Sequence, residues 1–154
     1  MRELSELNIN FGGLPVSRKP PSAEEILEFE TQFGVKMPPP LVQMLRYSNG
    51  GHPERDTFYV ALSASRDRVS VDNFYHLGGD RSCPDSLWFA ASHWTSILGL
   101  RCIPFASDGG GNQFFVDMND MAVAIRFHDD LEVWKLASSF EAFVDALEMN
   151  DDAV

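Results

Sequence analysis

The chain has 154 residues, of which 44% are hydrophobic, with 12 Phe and 3 Trp, so it can bury the core of a single domain and is too apolar for a disordered chain. Its net charge of −11 is unevenly placed: residues 1–101 carry ten basic against twelve acidic residues, whereas residues 102–154 carry two against eleven. The acidity disfavours DNA and RNA as partners, because both are polyanions, and it favours a basic partner or serves plain solubility.

Targeting and redox signals are sparse. Cys83 and Cys102 are too few and too isolated for a disulfide framework or a zinc knuckle, and no signal peptide opens the sequence. No apolar run approaches the roughly 20 residues that a membrane span requires. We therefore expect a cytoplasmic protein with free thiols and no membrane contact.

The first regular element predicted is a helix over residues 22–33. Residues 1–21 keep no hydrophobic period and predict an N-terminal arm that ends at two prolines. Ser22 followed by Glu25 is a capping-box pattern, and Gly34 suits a left-handed C-terminal cap. The apolar face of this helix is formed by Ile26, Phe29 and Phe33.

A second, short helix is predicted after the prolines of Met37-Pro38-Pro39-Pro40, because proline presets the backbone for a helix start. It stops at the turn Asn49-Gly50-Gly51. Beyond it, residues 57–62 and 69–77 predict strands or extended chain, and residues 80–85 predict a loop.

Pro84 is predicted to open a third helix that runs to Gly99, with Leu87, Ala91, Trp94 and Leu98 at helical spacing. Trp88 lies off that face. It is either an exposed interface anchor or part of a second core layer, and the pattern does not decide between them.

The segment Ile103–Asp117 predicts a strand, a tight turn and a second strand. Within the turn, Asp108 and Asn112 flank Gly109, Gly110 and Gly111, and this composition suits a hairpin. Phosphate-binding loops differ, because they end in Lys and Ser/Thr or open a helix. A nucleotide site is therefore disfavoured.

The C-terminal third predicts an antiparallel meander followed by a helix. Four short runs with turn signals between them span residues 101–105, 113–118, 122–128 and 131–136, and the third alternates as a half-buried strand would. Ser138 with Glu141 is a second capping-box candidate. The closing helix presents Phe140, Phe143, Val144 and Leu147. Residues 149–154 are expected to form a frayed acidic tail.

This order of features resembles the SUKH superfamily, which includes the fungal Smi/Knr-type cell-wall regulators and many bacterial immunity proteins. The resemblance spans residues 22–147, so residues 22–148 are expected to form a single SUKH-like domain. It is carried by a Pro-led segment ending in Asn49-Gly50-Gly51, the Ile103–Asp117 hairpin, a strand with Val123, Ile125, His128 and Asp129, and the closing helix.

The resemblance implies an α+β domain with a mostly antiparallel sheet and helices packed around it. It also implies action by binding, without catalytic residues or a cofactor. Bacterial members are similar to antidotes that occlude a toxin domain, often a nuclease or a nucleic-acid deaminase. The fungal members suggest the alternative of a regulatory adaptor that docks on a cellular protein.

Catalytic and metal-binding patterns are weak. The histidines His52, His76, His93 and His128 are scattered and show no metal-binding spacing. The flanking signature of a catalytic nucleophile is missing at Ser48, Ser107 and Cys83. We expect no enzyme activity, no metal and no cofactor.

Three carboxylates form the candidate partner-binding group. Asp129, Asp130 and Glu132 flank a predicted turn in the most acidic part of the chain. A hairpin tip that carries three acids can meet a basic cleft, although solvated acids at turns are equally consistent with solubility. We expect them to bind a protein partner, namely a toxin domain with a basic surface.

Overall fold

The computed structural model describes residues 1–11, 18–60, 68–98 and 101–150. Within them the chain forms an α+β fold, as the sequence predicts. The helices are α1 (Ala23–Phe33), α2 (Pro39–Tyr47), α3 (Leu87–Leu98) and α4 (Phe140–Ala146). The strands are β1 (Thr57–Tyr59), β2 (Arg68–Ser70), β3 (Asn73–Phe74), β4 (Cys102–Ser107), β5 (Gln113–Asp117), β6 (Ala122–Arg126) and β7 (Val133–Ala137).

Helix α1 begins with the predicted capping box. The backbone N–H of Glu25 donates to Ser22 Oγ, and the N–H of Ser22 donates to Glu25 Oε1, both at 3.1 Å. Gly34 closes the helix with φ of 64°, donating its N–H to the Glu30 carbonyl. The prediction is confirmed at both ends, because capping depends on residues close in sequence.

Helix α2 also confirms its prediction, with Pro39 at its first position and Ser48 beyond its last. It buries Leu41, Met44 and Leu45. The prolines need no intrahelical N–H partner at this end, so they start the helix without losing a hydrogen bond.

The main sheet has five strands in the order β3-β4-β5-β6-β7, and every pair is antiparallel. The predicted four-strand meander is confirmed as β4 to β7, with strand ends within two residues of the predicted ones. The predicted half-burial of the third run is wrong, because Val123 and Ala124, which point to opposite faces, are both buried. Both faces of the sheet are therefore covered at β6.

The prediction for residues 69–77 as one extended run is corrected. The chain changes partners at Val71, whose N–H bonds the Asp56 carbonyl, and at Asp72, whose N–H bonds the Ser107 carbonyl. Residues before this point form β2 and pair with β1 in a two-stranded sheet, whereas those after it form β3 of the main sheet. The predicted strand 57–62 is shorter, since β1 ends at Tyr59; residues 61 and 62 lie outside the described part of the chain.

Helix α3 begins at Leu87 and not at Pro84. Ser86, the residue before the helix, forms an isolated β-bridge with His76, so its backbone is extended and not helical. The predicted stop, Gly99, lies outside the described residues. Trp88 is buried: its ring contacts Phe29 at 5.4 Å and Phe33 at 5.6 Å between centroids. Of the two alternatives, burial is therefore confirmed, and Trp88 joins the main core cluster.

Helix α4 closes the core over the sheet. Ser139, and not Ser138, is its N-cap, and Ser139 Oγ accepts from the Ala142 N–H at 3.0 Å. The predicted capping box is wrong, because the third helical residue is then Ala142. The methyl group of Ala142 cannot accept a hydrogen bond from the N–H of the N-cap residue. The central aromatic cluster under this helix consists of Phe58, Phe105, Phe114, Phe140 and Phe143.

The N-terminal segment packs on α4. Leu4–Leu7 forms a 3-10 turn with Leu4 and Leu7 buried. The Arg2 guanidinium donates to the carbonyls of Val144 at 3.2 Å and Leu147 at 2.6 Å. A cation at this position also suits the negative end of the helix dipole.

Candidate functional site

Two hairpin turns meet at one end of the main sheet. Antiparallel order places the β4–β5 turn beside the β6–β7 turn. Asn112 Oδ1 accepts a hydrogen bond of 2.9 Å from the N–H of His128. Gly111 leaves room for this approach, because a Cβ there would lie 3.1 Å from His128 Cδ2. We call this region the acidic loop end and define it by Asp72, Asp108, Asp129, Asp130 and Glu132.

Asp108 organises the first turn. Its Oδ1 accepts from the N–H groups of Gly110 at 2.8 Å and Asn112 at 3.1 Å, while its Oδ2 accepts from Asn112 Nδ2 at 2.6 Å. The predicted hairpin is confirmed, and Gly109 and Gly111 adopt positive φ within it. Three hydrogen bonds to one carboxylate therefore close this turn.

The second turn carries the predicted partner-binding residues. Asp129 Oδ1 accepts from the Asp130 N–H at 2.9 Å, and Asp130 Oδ1 accepts from the Glu132 N–H at 3.0 Å. All three acidic side chains are exposed. Between them, Leu131 adopts φ of 59° and is 64% exposed, so an apolar side chain stands among carboxylates at the tip.

A third segment completes the acidic loop end. Asp72 lies beside the first turn, because a Cβ at Gly109 would be 3.2 Å from Asp72 Cγ. The carbonyl of Asp72 contacts His52 Nδ1, and the ring of Phe11, 44% exposed, lies 5.6 Å from the His52 ring. Sequence reasoning missed Phe11, His52 and Asp72, since they come from separate segments without a shared motif.

The turn Asn49-Gly50-Gly51 is structural and joins this region to β3. Asn49 is 4% exposed; its Nδ2 donates to the carbonyls of Lys19 and Leu77, and its Oδ1 accepts from the Leu77 N–H at 2.7 Å. Gly51 pairs with Phe74 on the edge of the sheet. The buried amide therefore fixes the path of the chain that leads to His52.

The two turns of the acidic loop end contain acidic but no basic residues. No Lys or Arg occurs in residues 108–112 or 127–132. Arg126, just before the second turn, directs its guanidinium to the Ile97 carbonyl on α3 at 3.5 Å. Clustered carboxylates of one sign raise the local concentration of a basic partner and accelerate encounter.

The residue types that commonly ligate metals or act as nucleophiles are scattered over the part of the chain that the structure describes. No group of three or more His, Cys, Asp or Glu residues is placed to hold a metal ion there. His76 is buried and His93 lies on α3 against Phe89. Burial, reinforced by Asp117 and Asp120, raises the pKa of the buried Cys102 thiol to about 11, so the thiol is protonated at neutral pH.

Of the helices described, none is both long and apolar enough to span a bilayer. The second turn of the acidic loop end presents one exposed apolar residue, Leu131, between the exposed carboxylates of Asp130 and Glu132.

Two comparisons bear on this arrangement. Residues 20–146 match the sequence model of the SMI1 / KNR4 family (SUKH-1). The chain is also 25% identical over 165 residues to a protein of Bacillus subtilis (strain 168) described as SPbeta prophage-derived uncharacterized protein YokK, and the match covers 95% of this chain and 83% of the relative.

Proposed function

The chain belongs to the SMI1 / KNR4 family (SUKH-1), and from that premise we propose that it is an immunity protein that binds a toxin domain and neutralises it by occlusion. The proposed toxin is a nuclease or a deaminase with a basic substrate surface. The protein acts without catalysis and without a cofactor.

The observation that carries this proposal is the tip of the β6–β7 turn. Leu131 is 64% exposed between Asp130 and Glu132, and Val133 just after it is 49% exposed. An apolar anchor surrounded by charge is the usual anatomy of a protein interface core and its rim. The substrate cleft of an enzyme that acts on nucleic acid presents the complementary cations.

The rigidity of the acidic loop end supports the same proposal. The Asn112–His128 hydrogen bond and the contacts of Asp108 hold both turns before any partner arrives. Preorganisation lowers the ordering cost of association, so more of the contact energy appears as affinity.

The test is a binding experiment with the C-terminal domain encoded by the adjacent reading frame. We expect nanomolar affinity, loss of that domain's toxicity in cells, and an association rate that falls as salt increases. If the domain does not bind and a housekeeping protein binds at the same tip, the protein is a regulatory adaptor and not an immunity protein.

The matched variants are Asp129→Asn/Asp130→Asn and Glu3→Gln/Glu24→Gln. The first pair keeps the turn's acceptor oxygens while removing two charges. The second pair removes two exposed charges whose side chains form no hydrogen bond or ion pair with the described residues. We expect association at low salt to slow about ten-fold for the first pair and to change less than about two-fold for the second. Equal slowing in both pairs would contradict a role for this tip.

A further inference from the structure

A cleft of about 340 Å³ lies away from the acidic loop end. It is lined by Arg18, Lys19, Glu25, Asn49, Gly78 and Gly79, among others, and we call it the Arg18 cleft. The N–H of Tyr75 bonds the Phe105 carbonyl, so the chain beyond Tyr75 runs antiparallel to β4, toward the opposite end of the sheet. The cleft is thus separate from the site proposed for the toxin.

The two cationic side chains of this cleft are not paired with a carboxylate of the described residues. Among the residues that the structure describes, the side chains of Arg18 and Lys19 form no ion pair, whereas Arg2, Arg81 and Lys135 each pair with a carboxylate. Arg18 Nη1 lies 4.0 Å from the position of a Cβ on Gly79, so the guanidinium borders the floor of the cleft.

The floor of the cleft adds backbone donors. The N–H groups of Gly78 and Gly79 donate no hydrogen bond to any described residue, and their φ values are 114° and 67°. Asn49 cannot serve them, because its side chain is already bonded to Lys19 and Leu77. Successive free N–H groups in a turn form a concavity that favours anions.

His76 precedes Leu77, a residue of the cleft wall, but does not itself line the cleft. Its ring is 2% exposed, and its Nε2 has no hydrogen-bond partner among the described residues. Burial, reinforced by the charge of Arg18, lowers the pKa of His76, while Asp85 opposes the shift. The imidazole therefore stays neutral within the electrostatic reach of the Arg18 guanidinium.

We propose that the Arg18 cleft binds a phosphoryl group, either as free phosphate or as a phosphate monoester. A phosphoryl group carries more acceptor oxygens than a carboxylate, so it suits a cleft bordered by a guanidinium, an ammonium and two glycine amides. The Glu25 carboxylate limits where the anion can lie in the cleft. Its Oε1 accepts from the N–H of Ser22, and its Oε2 lies 2.8 Å from the position of a Cβ on Gly78. Repulsion by this carboxylate confines the anion to the side of the cleft near Arg18.

The experiment is a titration followed by amide chemical shifts, with inorganic phosphate, O-phosphoserine and serine as probes at constant ionic strength. We expect saturable shifts at Gly78 and Gly79 with a Kd of about 1 mM for at least one phosphoryl probe, and none with serine. Tighter binding of O-phosphoserine identifies a monoester site, and equal binding identifies a free phosphate site. Shifts that stay unsaturated to about 50 mM for both phosphoryl probes overturn the proposal.

Three variants separate a built site from general attraction. Arg18→Gln/Lys19→Gln should weaken binding about ten-fold or more, since charge-assisted hydrogen bonds are lost. Glu25→Gln should strengthen it about three-fold while keeping the capping box, which accepts Gln as well as Glu. Lys36→Gln/Arg46→Gln removes two exposed cations outside the cleft and should change the Kd less than about two-fold. Equal weakening by both double variants overturns the proposal, and the same spectra report whether each variant is folded.

Discussion

Asn112 and His128 are 16 residues apart in the chain, yet the side-chain oxygen of Asn112 accepts the backbone N–H of His128 at 2.9 Å. This bond connects the turn of one hairpin to the turn of the next. Asn112 also donates from Nδ2 to Asp108 Oδ2, so a single amide orders both acidic turns.

Replacement of that amide should loosen the acidic loop end. We expect Asn112→Ala to cost about 1–2 kcal/mol of unfolding free energy, because the His128 N–H and an Asp108 oxygen lose their partner. Hydrogen exchange at the His128 amide should accelerate as well. Asn119→Ala is the control, since the Asn119 side chain is exposed and forms no hydrogen bond with the described residues. Urea unfolding curves and amide exchange measure both effects, and similar losses in the two variants would be the contrary result.

Gly51 occupies a position that admits no side chain. Its φ is 120°, and a Cβ would lie 2.3 Å from Asn10 Oδ1. Gly51→Ala should therefore destabilise the protein by about 2 kcal/mol or more, through backbone strain and displacement of Asn10. At Gly110 the nearest atom, Asp108 Oδ1, is 3.5 Å from the Cβ position, so Gly110→Ala should be tolerated. Thermal unfolding of the two variants makes the comparison, and equal stability would refute this account of Gly51.

His76 should make stability depend on pH. Its pKa is lowered in the folded protein below the ordinary value of 6.5, chiefly by burial. The unfolded chain therefore binds the proton more readily. The contribution of neutral His76 to the free energy of unfolding is fully present above the pKa that His76 has in the unfolded chain. It is lost as the pH falls through the lower pKa that His76 has in the folded protein. Unfolding free energies should decline from about pH 7.5 to about pH 5.5, and His76→Leu should flatten that decline, whereas His93→Gln, at an exposed position, should not. A decline of unchanged slope in His76→Leu would assign the effect to other groups.

Elements with local determinants were predictable from sequence. Helix α1 is specified by Ser22, Glu25 and Gly34, each within a turn of the residue that it caps. The hairpin of β4 and β5 follows from alternating apolar residues around Asp108–Asn112. The caps of α1 and the turn bonds of Asp108 join residues at most four positions apart, so the pattern in the sequence contains these interactions.

Elements that depend on distant partners were not predictable. The division of residues 69–77 between two sheets follows from the different partners of Val71 and Asp72, namely Asp56 and Ser107. The burial of Trp88 follows from α1 packing against α3. Neither partner leaves a periodic signal near the residue concerned, because the contacts join separate elements.

The acidic loop end shows the same division between local determinants and distant partners. The sequence by itself determined the hairpins, their acidic turns and the excess of carboxylates after residue 101, because turn chemistry and charge are local properties of the chain. Only the tertiary structure decided that Asp72, Asp108 and Asp129 share one end of the sheet with Leu131 exposed beside them, and that Arg18 faces Gly79 across a separate cleft. Strand order and register set these neighbours, and both are fixed by packing around the common core.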